Sequence, residues 1–441
     1  MLNTIKREEN SENRNVVAQV HKFGGSSLAN ASRFHAVLEL ILQQDSNQPI
    51  WVVVSAPGDC TDDLLAIIEQ PNDADRLIAI LALQQKLTRL IIGCLPAKIA
   101  ANCNLKIKAW LQDIPLLLRL GKPNDVLAIG ENISALVLSE LLLSKGVAAV
   151  KLDARDFLYF NNYQFEFVYS QQKLIAHIQP DTIHIVTGYI AKDMANNTIT
   201  LGRNGSDYSA TLVGSLIKAN SISIWTDVPA IYSADPRYFT HAQPYVAVNW
   251  QQACLLAQLG NPVLHPRTLY PLQQGKASLL VKSSFNSQKR GSAVVLNAKS
   301  QDFLTTIPQA QLVSVPINDP LCIDTVAQQI QVPLSLFDQT KEQQRWLVPL
   351  AAITLLLEYL AKKMLKATLD PQLYFAIAWL KAEHTSGQCD ADRILEPNRV
   401  QHRTENDEKI IWLLAEPLAN EELNKLHDTI LNKAILHTTL L

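Results

Sequence analysis

Short apolar runs alternate with helical stretches in the first two thirds of the chain. Residues 16–23 (VVAQVHKF) are strand-like, and residues 50–56 (IWVVVSA) form a continuous apolar run, as in a strand buried on both faces. Between them, apolar residues of 28–44 recur on one helical face. Residues 184–188 (HIVTG) and 222–227 (ISIWTD) predict two more short strands. This alternation favours an α/β fold with an open, mainly parallel sheet and helices on both faces.

Two further stretches predict helices. Residues 131–146 (ENISALVLSELLLSKG) are apolar almost all round, and Gly146 is a suitable stop. Residues 70–128 favour helix over most of their length and predict a lobe inserted over one edge of the sheet. Glu131 is therefore expected to open the apolar helix, where a carboxylate complements the helix dipole.

Glycine marks a boundary near residue 300. The chain has 15 glycines, and all but Gly387 lie at or before Gly291. The first part therefore has the tight turns and close backbone approaches that ligand sites need. The later part predicts one or two small α+β modules. Its predicted strands are WLVPL, QLYFAIAWL and KIIWLLAE, and its predicted helices are LAAITLLLEYLAKKML and ANEELNKLHDTILNK.

Composition excludes several classes of protein. The formal net charge of -2 gives no basic excess to suit nucleic acid. The first sixteen residues are polar and lack the apolar core of a secretory signal. The apolar stretches fall short of the roughly 18 residues of a membrane span, so no transmembrane helix is predicted. The 6 cysteines form no C-x-x-C pair, which indicates neither zinc nor disulfides and favours a cytoplasmic location.

The segment K-F-G-G-S-S (22–27) places a lysine at the end of a predicted strand, before two glycines and two hydroxyl groups that open a helix. Backbone N–H groups at Gly24 and Gly25 can approach an anion, and a helix N-terminus adds partial positive charge. The pattern indicates a phosphate-binding turn that includes Lys22. The alternative is a strand–turn–helix junction with a solvated lysine, because short glycine motifs are common.

A second motif, L-G-R-N-G-S-D-Y-S-A (201–210), precedes an apolar helical stripe. Ser206 is the predicted N-cap, and Asp207 suits the first helical turn. Arg203, in the loop before the helix, offers planar, bidentate recognition of a carboxylate. The alternative is a capped structural helix with a surface arginine, and capping explains Asp207 equally well.

A third motif, W-T-D-V-P-A-I-Y (225–232), is followed by Asp235-Pro236-Arg237. Thr226 and Asp227 end a predicted strand, and Tyr232 and Arg237 return shortly afterwards. A tyrosine can pack on a nucleotide base, and an arginine can reach phosphates. The segment indicates a nucleotide site, with a proline-containing surface loop as the alternative.

These motifs follow predicted strands, and ligands of open α/β sheets bind at the carboxyl ends of strands. Together they resemble aspartate kinases of the amino-acid kinase superfamily over residues 18–296, most closely the kinase half of bifunctional aspartokinase–homoserine dehydrogenases. The matching segments are K-F-G-G-S-S (22–27), V-V-S-A (53–56), G-E (130–131), L-D-A-R (152–155), T-L-G-R-N-G-S-D-Y-S-A (200–210), I-W-T-D-V (224–228), I-Y-S-A-D-P-R (231–237) and V-L-H-P-R-T-L (263–269).

The resemblance implies a polar segment at 1–16, an amino-acid kinase catalytic domain at 17–298 and a degenerate ACT-like regulatory or dimerisation region at 299–441, without a dehydrogenase domain. It implies that the chain, with ATP and Mg²⁺, phosphorylates the side chain of L-aspartate, the first step of lysine, threonine and methionine synthesis. It also implies a homodimer or higher homo-oligomer formed through the C-terminal region.

The resemblance further implies site residues. Lys22 and Asp207 are the expected catalytic residues, and no protein metal ligand is expected. The expected ATP-binding residues are Lys22, Phe23, Gly24, Gly25, Thr226, Asp227, Tyr232 and Arg237. The expected aspartate-binding residues are Ser55, Thr61, Glu131, Tyr189, Arg203 and Ser206. Among these, Arg203 would hold the α-carboxylate of aspartate and Glu131 would pair with its α-ammonium group.

Three positions depart from the family pattern. Pro262 stands where many members carry a lysine that reaches the nucleotide, Asp62 where an asparagine is usual, and Ile129 where an aromatic residue or histidine is usual. Two alternatives stay open: another superfamily enzyme that acts on a different carboxylate or carbamate, and a non-catalytic regulatory subunit. A Walker P-loop kinase is not indicated, because the chain contains no G-x-x-x-x-G-K-[ST].

Overall fold

The computed structural model describes residues 18–162, 164–261, 263–272, 277–317, 322–330, 332–382, 391–396 and 398–438. The predicted N-terminal segment, residues 1–16, and Pro262 lie outside the described residues.

The elements of the first part follow in chain order. They are β1 (Gln19–Phe23), α1 (Ala31–Leu42), β2 (Ile50–Val54), α2 (Cys60–Glu69), α3 (Asp73–Cys94), α4 (Ala97–Gln112), α5 (Ile114–Arg119), α6 (Pro123–Ser144), β3 (Ala149–Leu152), β4 (Tyr159–Asn161), β5 (Gln164–Phe165), α7 (Phe167–Ile175), β6 (Ile183–Thr187), β7 (Ile190–Asp193), β8 (Thr198–Thr200), α8 (Gly205–Leu216), β9 (Ser221–Thr226), β10 (Ile231–Tyr232), β11 (Pro244–Tyr245), β12 (Ala247–Asn249), α9 (Trp250–Gln258), α10 (Pro266–Leu269), β13 (Ser278–Ser283) and β14 (Ser292–Val295).

The central sheet has eight strands in the order β12-β14-β13-β9-β1-β2-β6-β3. Its neighbouring strands are parallel except for β13 and β14, which confirms the mainly parallel sheet. Strand β2 is buried on both faces, as its apolar run predicts. Trp51 and Val53 pack in the cluster that contains α8, whereas Val52 and Val54 pack in the cluster that contains α1 and α6. Helices therefore cover both faces.

Helix α6 begins at Pro123, so the predicted start of this helix at Glu131 is wrong. Proline is tolerated in the first turn, where its missing N–H would have had no helical partner. Gly130 does not interrupt the helix; a Cβ atom there would lie 2.7 Å from the Cβ atom of Ala56, so the glycine allows α6 to pack closely on the loop after β2. Glu131 consequently lies inside a buried helix.

The region 70–128 is largely helical, as predicted, and contains α3, α4 and α5. Two described helices, α3 and α6, are long and apolar enough to cross a membrane by length and composition alone. Helix α6 is a core helix, with 89% of its apolar window buried, and the corresponding share for α3 is 28%. Core helices of globular domains commonly have this composition, and the absence of a membrane span stays a prediction.

The C-terminal elements follow in the same order. They are β15 (Phe303–Pro316), α11 (Ile323–Ile330), β16 (Ser335–Gln339), β17 (Gln343–Pro349), α12 (Ile353–Lys362), β18 (Thr368–Leu369), β19 (Tyr374–Leu380), α13 (Ala391–Ile394), β20 (Val400–Glu405), β21 (Lys409–Leu414) and α14 (Asn420–Thr438).

A second, antiparallel sheet organises this region, in the order β16-β17-β15-β19-β21-β20 with β18 paired to β15. The predicted α+β character is confirmed, including strands β17, β19 and β21 and helices α12 and α14. The long strand β15 was not predicted, because its apolar and polar residues follow no regular alternation.

Asp302 connects the C-terminal sheet to the first part of the chain. Its carboxylate accepts hydrogen bonds from Trp379 Nε1 (2.7 Å) and the backbone N–H of Ala382 (3.3 Å), and its carbonyl oxygen accepts one from the Tyr245 hydroxyl (2.6 Å). The Asp302 residue is 2% exposed, so these bonds form away from water. They fix the start of β15 against both β19 and the first part of the chain.

Helix α14 contacts the loop that follows β10. Buried His427 is hydrogen-bonded to Ser233 Oγ at 2.9 Å. Asn424 Oδ1 accepts the backbone N–H of Thr240 at 2.8 Å, and His241 lies 2.9 Å from an Asp428 carboxylate oxygen. The C-terminal region therefore packs directly against residues 233–241.

We predict that Asp302→Ala lowers the free energy of unfolding by about 2–3 kcal/mol, because it leaves the buried Trp379 N–H without its carboxyl acceptor. Asp407→Ala, at an exposed carboxylate, is the matched control and should change stability by less than about 0.5 kcal/mol. Urea denaturation of both variants measures the difference. Equal stabilities would contradict the structural role of Asp302.

Candidate active site

Four parallel strands end side by side at one edge of the central sheet. Phe23, the last residue of β1, pairs with Val54 of β2 and with Trp225 of β9, and Val54 pairs with Thr187 of β6. The loops that follow β9, β1, β2 and β6 therefore leave from neighbouring points. The motifs at 22–27 and 225–232 lie at this edge, as expected for an open α/β sheet. The 201–210 motif follows β8 of another sheet and reaches the edge through Asp207.

Lys22 and Asp207 form an ion pair at this edge. Lys22 and Phe23 are neighbours on β1, so their side chains point to opposite faces of the sheet. Lys22 faces α8, where its Nζ lies 2.6 Å from Asp207 Oδ1. The two side chains are only 11% and 13% exposed. A nearly buried ammonium needs a compensating charge, which Asp207 provides from the first turn of α8.

The glycine turn after β1 differs in one respect from the prediction. Residues Gly25–Leu28 form a short 3-10 turn, and α1 starts only at Ala31 with Asn30 as its N-cap. A Cβ atom on Gly24 would lie 3.2 Å from Lys22 Nζ, and one on Gly25 would lie 2.9 Å from the Gly58 carbonyl oxygen. The glycines therefore let this turn pack against the loop after β2 and close to the lysine.

Ser27 of this turn is buried and is hydrogen-bonded through its hydroxyl to Ser284 Oγ at 2.7 Å. Arg33 Nη2 donates to the carbonyl oxygen (2.9 Å) and hydroxyl (2.8 Å) of Ser284, and its guanidinium lies 3.7 Å from the ring centroid of Phe285. The loop after β13 is thus connected to the glycine turn. Sequence reasoning missed this connection because Ser284 lies far from Ser27 in the chain.

The Phe23 side chain points into the core. It is 1% exposed and stacks on Trp225, with ring centroids 5.7 Å apart. Trp225 Nε1 donates to His21 Nδ1 at 3.2 Å, and burial lowers the pKa of His21 to about 3, so that this nitrogen is a neutral acceptor. The Phe23 ring therefore packs in the core beneath the glycine turn, and its expected role in ATP binding stays a prediction.

Glu131 reaches the same edge from inside α6. Its Oε1 accepts the backbone N–H of Ala56 at 3.2 Å, and its Oε2 is buried without a hydrogen-bond partner among the described residues. Burial raises the pKa of Glu131 to about 8, against the usual 4.5. A cationic group would find here a buried carboxyl with one unused oxygen.

The other residues expected to bind aspartate lie on the adjoining loops. Ser55 follows β2, and Thr61 lies in the first turn of α2. Tyr189 follows β6 with a φ of 67°, and its backbone N–H donates to Ser209 Oγ at 3.0 Å. The charge of Glu131 contributes to raising the pKa of the Tyr189 hydroxyl, after the larger effect of burial, so the two side chains lie near each other.

Ser206 is not the N-cap of α8, contrary to the prediction. The N-cap is Asn204, whose φ of 56° is left-handed, and the helix starts at Gly205. Ser206 is 7% exposed and packs on Gly188, where an added Cβ atom would lie 2.7 Å from its Oγ. Gly202 also has a positive φ of 68°, so two left-handed residues flank the exposed Arg203 and shape its turn.

The loop after β9 carries the expected nucleotide-binding residues. Thr226 Oγ1 donates to Asp227 Oδ1 at 2.9 Å, and Tyr232 is half-buried on β10. Asp235 holds Arg237 through two donors, Nε at 3.0 Å and Nη2 at 2.6 Å. Hydrogen bonding to Asp235 raises the pKa of Arg237, and the charge of Asp227 adds a smaller effect, which places Arg237 near the end of β9.

Two of the departures from the family pattern have clear positions. Asp62 is exposed in the first turn of α2, where a carboxylate complements the helix dipole. Ile129 is buried in α6.

Sequence reasoning also passed over Arg267 and His265 of the V-L-H-P-R-T-L motif, which lie buried beside the 201–203 turn.

We predict that Glu131→Gln flattens the pH dependence of stability of the ligand-free chain. Because the folded pKa of about 8 exceeds the unfolded value of 4.5, the folded state binds more protons between these pH values and loses stability as the pH rises. Glutamine keeps the acceptor for Ala56 N–H and cannot ionise. Urea denaturation between pH 5 and 9 should show a slope that is shallower by up to about 1.4 kcal/mol per pH unit.

Glu39→Gln, at an exposed glutamate of α1, is the control and should keep the wild-type slope. Identical slopes for Glu131→Gln and the wild type would contradict the raised pKa of Glu131.

Comparison with known proteins places this arrangement in a family. Residues 18–283 match the family model of the amino acid kinase family. Bifunctional aspartokinase/homoserine dehydrogenase 2 of Escherichia coli K12 is 35% identical over 291 residues, which cover 63% of this chain and 35% of that protein. Chloroplastic aspartokinase 1 of Arabidopsis thaliana is 28% identical over 307 residues, which cover 65% of this chain and 53% of that protein. The chain thus spans about a third to a half of these relatives.

Solved structures show the same fold. Escherichia coli aspartokinase III in complex with aspartate and ADP has a TM-score of 0.77 at 21% identity, covering 94% of this chain and 98% of that one. Clostridium acetobutylicum aspartate kinase has a TM-score of 0.68 at 16% identity, covering 94% and 99%. Both similarities include the C-terminal sheet, in agreement with an ACT-like region. On the family match and the sheet described above, the chain belongs to the amino acid kinase family.

Proposed function

We propose that the chain is an aspartate kinase, which transfers the γ-phosphoryl group of ATP to the side-chain carboxylate of L-aspartate and releases ADP and 4-phospho-L-aspartate. The observation that carries the proposal is the Lys22–Asp207 ion pair where β9, β1, β2 and β6 end. The similarity to aspartokinases supports aspartate as the acceptor, and the pathway would be lysine, threonine and methionine synthesis.

The chemistry needs no general base. The side-chain carboxyl of free aspartate has a pKa of about 3.9 and is already ionised at neutral pH. The obstacle is repulsion between this anion and the triphosphate, so that positioning and charge neutralisation are the main catalytic tasks. A nearly buried ammonium between two anions performs the second task well, because its charge is little screened by water.

Lys22 would stabilise the charge on the transferring phosphoryl group, and Asp207 would keep the lysine aimed at it. The backbone N–H groups of Gly24 and Gly25 would contact the phosphates. On the nucleotide side, Tyr232 would pack on the base and Arg237, held by Asp235, would reach the phosphates.

Aspartate would bind between the loops after β2 and β6. Arg203 would hold its α-carboxylate by a bidentate contact. Glu131 would pair with its α-ammonium group through the unpartnered Oε2 and would lose its proton on binding, because a neighbouring cation favours the carboxylate form. Ser55, Thr61 and Ser206 would supply the remaining polar contacts.

Mg²⁺ would accompany ATP and neutralise phosphate charge. Within the described ranges, no three His, Cys, Asp or Glu side chains form a metal-binding group. Phosphate oxygens and water would therefore supply most of its ligands, as is usual for Mg²⁺. A cytoplasmic location and a homodimer or higher homo-oligomer formed through the C-terminal region are part of the same proposal.

An ADP-release assay with a panel of acids tests the proposal, and hydroxylamine trapping of the acyl phosphate identifies the product. Aspartate-dependent ADP release with formation of aspartyl hydroxamate is the expected result. Preference for another carboxylate or for a carbamate would indicate a different member of the family. ATP binding without turnover on any acid would indicate a regulatory subunit.

We predict that Arg203→Ala raises the KM for aspartate about 10- to 100-fold with little change in the KM for ATP, because it removes a charge-assisted contact to aspartate. Arg237→Ala should do the reverse and raise the KM for ATP about 3- to 10-fold, a smaller effect because its side chain is 67% exposed. Each variant is the control for the other in steady-state kinetics. Parallel changes in both KM values would contradict the assignment of separate roles.

We predict that Lys22→Met lowers kcat by about 10²- to 10³-fold or more, because it removes the cation from the transferring phosphoryl group. Lys151→Met is the matched control, since Lys151 lies on β3 of the same sheet and contacts Trp110, with its Nζ 5.2 Å from the ring centroid. Its kcat should stay within about twofold of the wild type. A Lys22→Met enzyme with normal turnover would remove Lys22 from the chemistry.

A further inference from the structure

Arg267 is a buried arginine without a carboxylate partner. It lies on α10, is 3% exposed, and donates through Nη1 to the carbonyl oxygen of Leu201. Its Nε and Nη2 are buried and have no hydrogen-bond acceptor among the described residues, and no described carboxylate pairs with it. By contrast, the half-buried Arg345 is paired with Asp338.

Burial of an unpaired guanidinium group is costly, by several kcal/mol in typical proteins. Burial lowers the pKa of Arg267 to about 9, in the direction that this cost requires. An apolar side chain of similar size could fill the space without this cost. Packing alone therefore does not explain a positively charged side chain at this position.

Arg267 contacts both ends of residues 201–208, which comprise the loop before α8 and the start of that helix and are called the 201–208 turn below. At one end it holds the Leu201 carbonyl oxygen, and a Cβ atom on the exposed Gly202 would lie 3.5 Å from its Nη1. At the other end its guanidinium carbon lies 5.5 Å from the ring centroid of Tyr208, directly after Asp207. Arg267 thus contacts the chain on both sides of Arg203.

The surroundings of the turn are electropositive. Burial is the largest cause that lowers the pKa of His265 to about 4, and the charges of Arg267 and Arg203 lower it further. Both guanidinium groups therefore lie near His265, and its imidazole is neutral at pH 7. The carboxylate of the same turn, Asp207, is paired with Lys22, and no described carboxylate is paired with Arg267 or Arg203. The two arginines therefore favour an anion at the turn.

We propose that Arg267 is a positioning residue for the carboxylate of the acceptor. It fixes the 201–208 turn from the buried side of that turn and adds its unpaired charge to that of Arg203. The proposal rests on the proposed function, in which this turn binds the α-carboxylate of aspartate. It makes the aspartate site a two-arginine site, in which Arg203 touches the ligand and Arg267 acts through the turn.

The test compares Arg267→Met, Arg267→Lys and the control Arg345→Met in the full chain. We expect Arg267→Met to raise the KM for aspartate at least tenfold while the KM for ATP stays within about twofold. Arg267→Lys keeps the charge but not the planar fork, and it should recover part of the loss. Arg345→Met should lower the melting temperature without changing either KM.

A role in packing alone would change the melting temperature and leave both KM values unchanged, or change them in parallel, and either result overturns the proposal. If Arg267→Met does not fold, a selective rise in the aspartate KM of Arg267→Lys supports the proposal, and its absence overturns it. A wild-type chain without aspartate-dependent ADP release overturns the proposed function and this inference together. An active wild type with unaffected Arg267 variants overturns this inference alone.

Discussion

The ion pair between Lys22 and Asp207 is the interaction on which the rest of the site depends. Strand β1 lies in the middle of a mainly parallel sheet, and a nearly buried ammonium group near its end is stabilised by an opposite charge close by. Helix α8 supplies that partner from its first turn, at 2.6 Å. The pair thereby fixes a cation at the point from which four loops leave the sheet.

The close packing of the loops follows from the same arrangement. Gly25, Gly130 and Gly188 each lie where a Cβ atom would come within 3.0 Å of a neighbouring loop or helix. These contacts bring the glycine turn after β1, the buried carboxyl of Glu131 and the first turn of α8 together at the ends of the strands. The proposed binding of a small acceptor and a nucleotide depends on this convergence, which no single motif specifies.

Much of this arrangement could be predicted from the sequence. The apolar runs gave the strands, and because the strands are parallel, motifs at their carboxyl ends had to meet at one edge. Glu131 reaches this edge, and its role in binding stays a prediction. Its helix starts earlier than predicted, because proline and glycine at 123 and 130 resemble a loop. The side chain of Phe23 faces the core, since neighbouring residues of a strand point to opposite faces.

Contacts between distant segments could not be predicted. The hydrogen bond between Ser27 and Ser284, the support of the 201–208 turn by Arg267 and the contacts of α14 with residues 233–241 each join segments that carry no shared sequence pattern. Pairing over such separations depends on tertiary packing, which periodicity and spacing do not encode. The ACT-like region thereby touches the loop that carries Arg237, a link visible only in three dimensions.

The most direct test of the account is a crystal structure of the chain with L-aspartate and a non-hydrolysable ATP analogue. We expect one shared cleft at the ends of β9, β1, β2 and β6, with Lys22 Nζ between the terminal phosphate and the side-chain carboxylate of aspartate. A structure that holds the two ligands in separate clefts, with Lys22 contacting neither, would contradict the shared site.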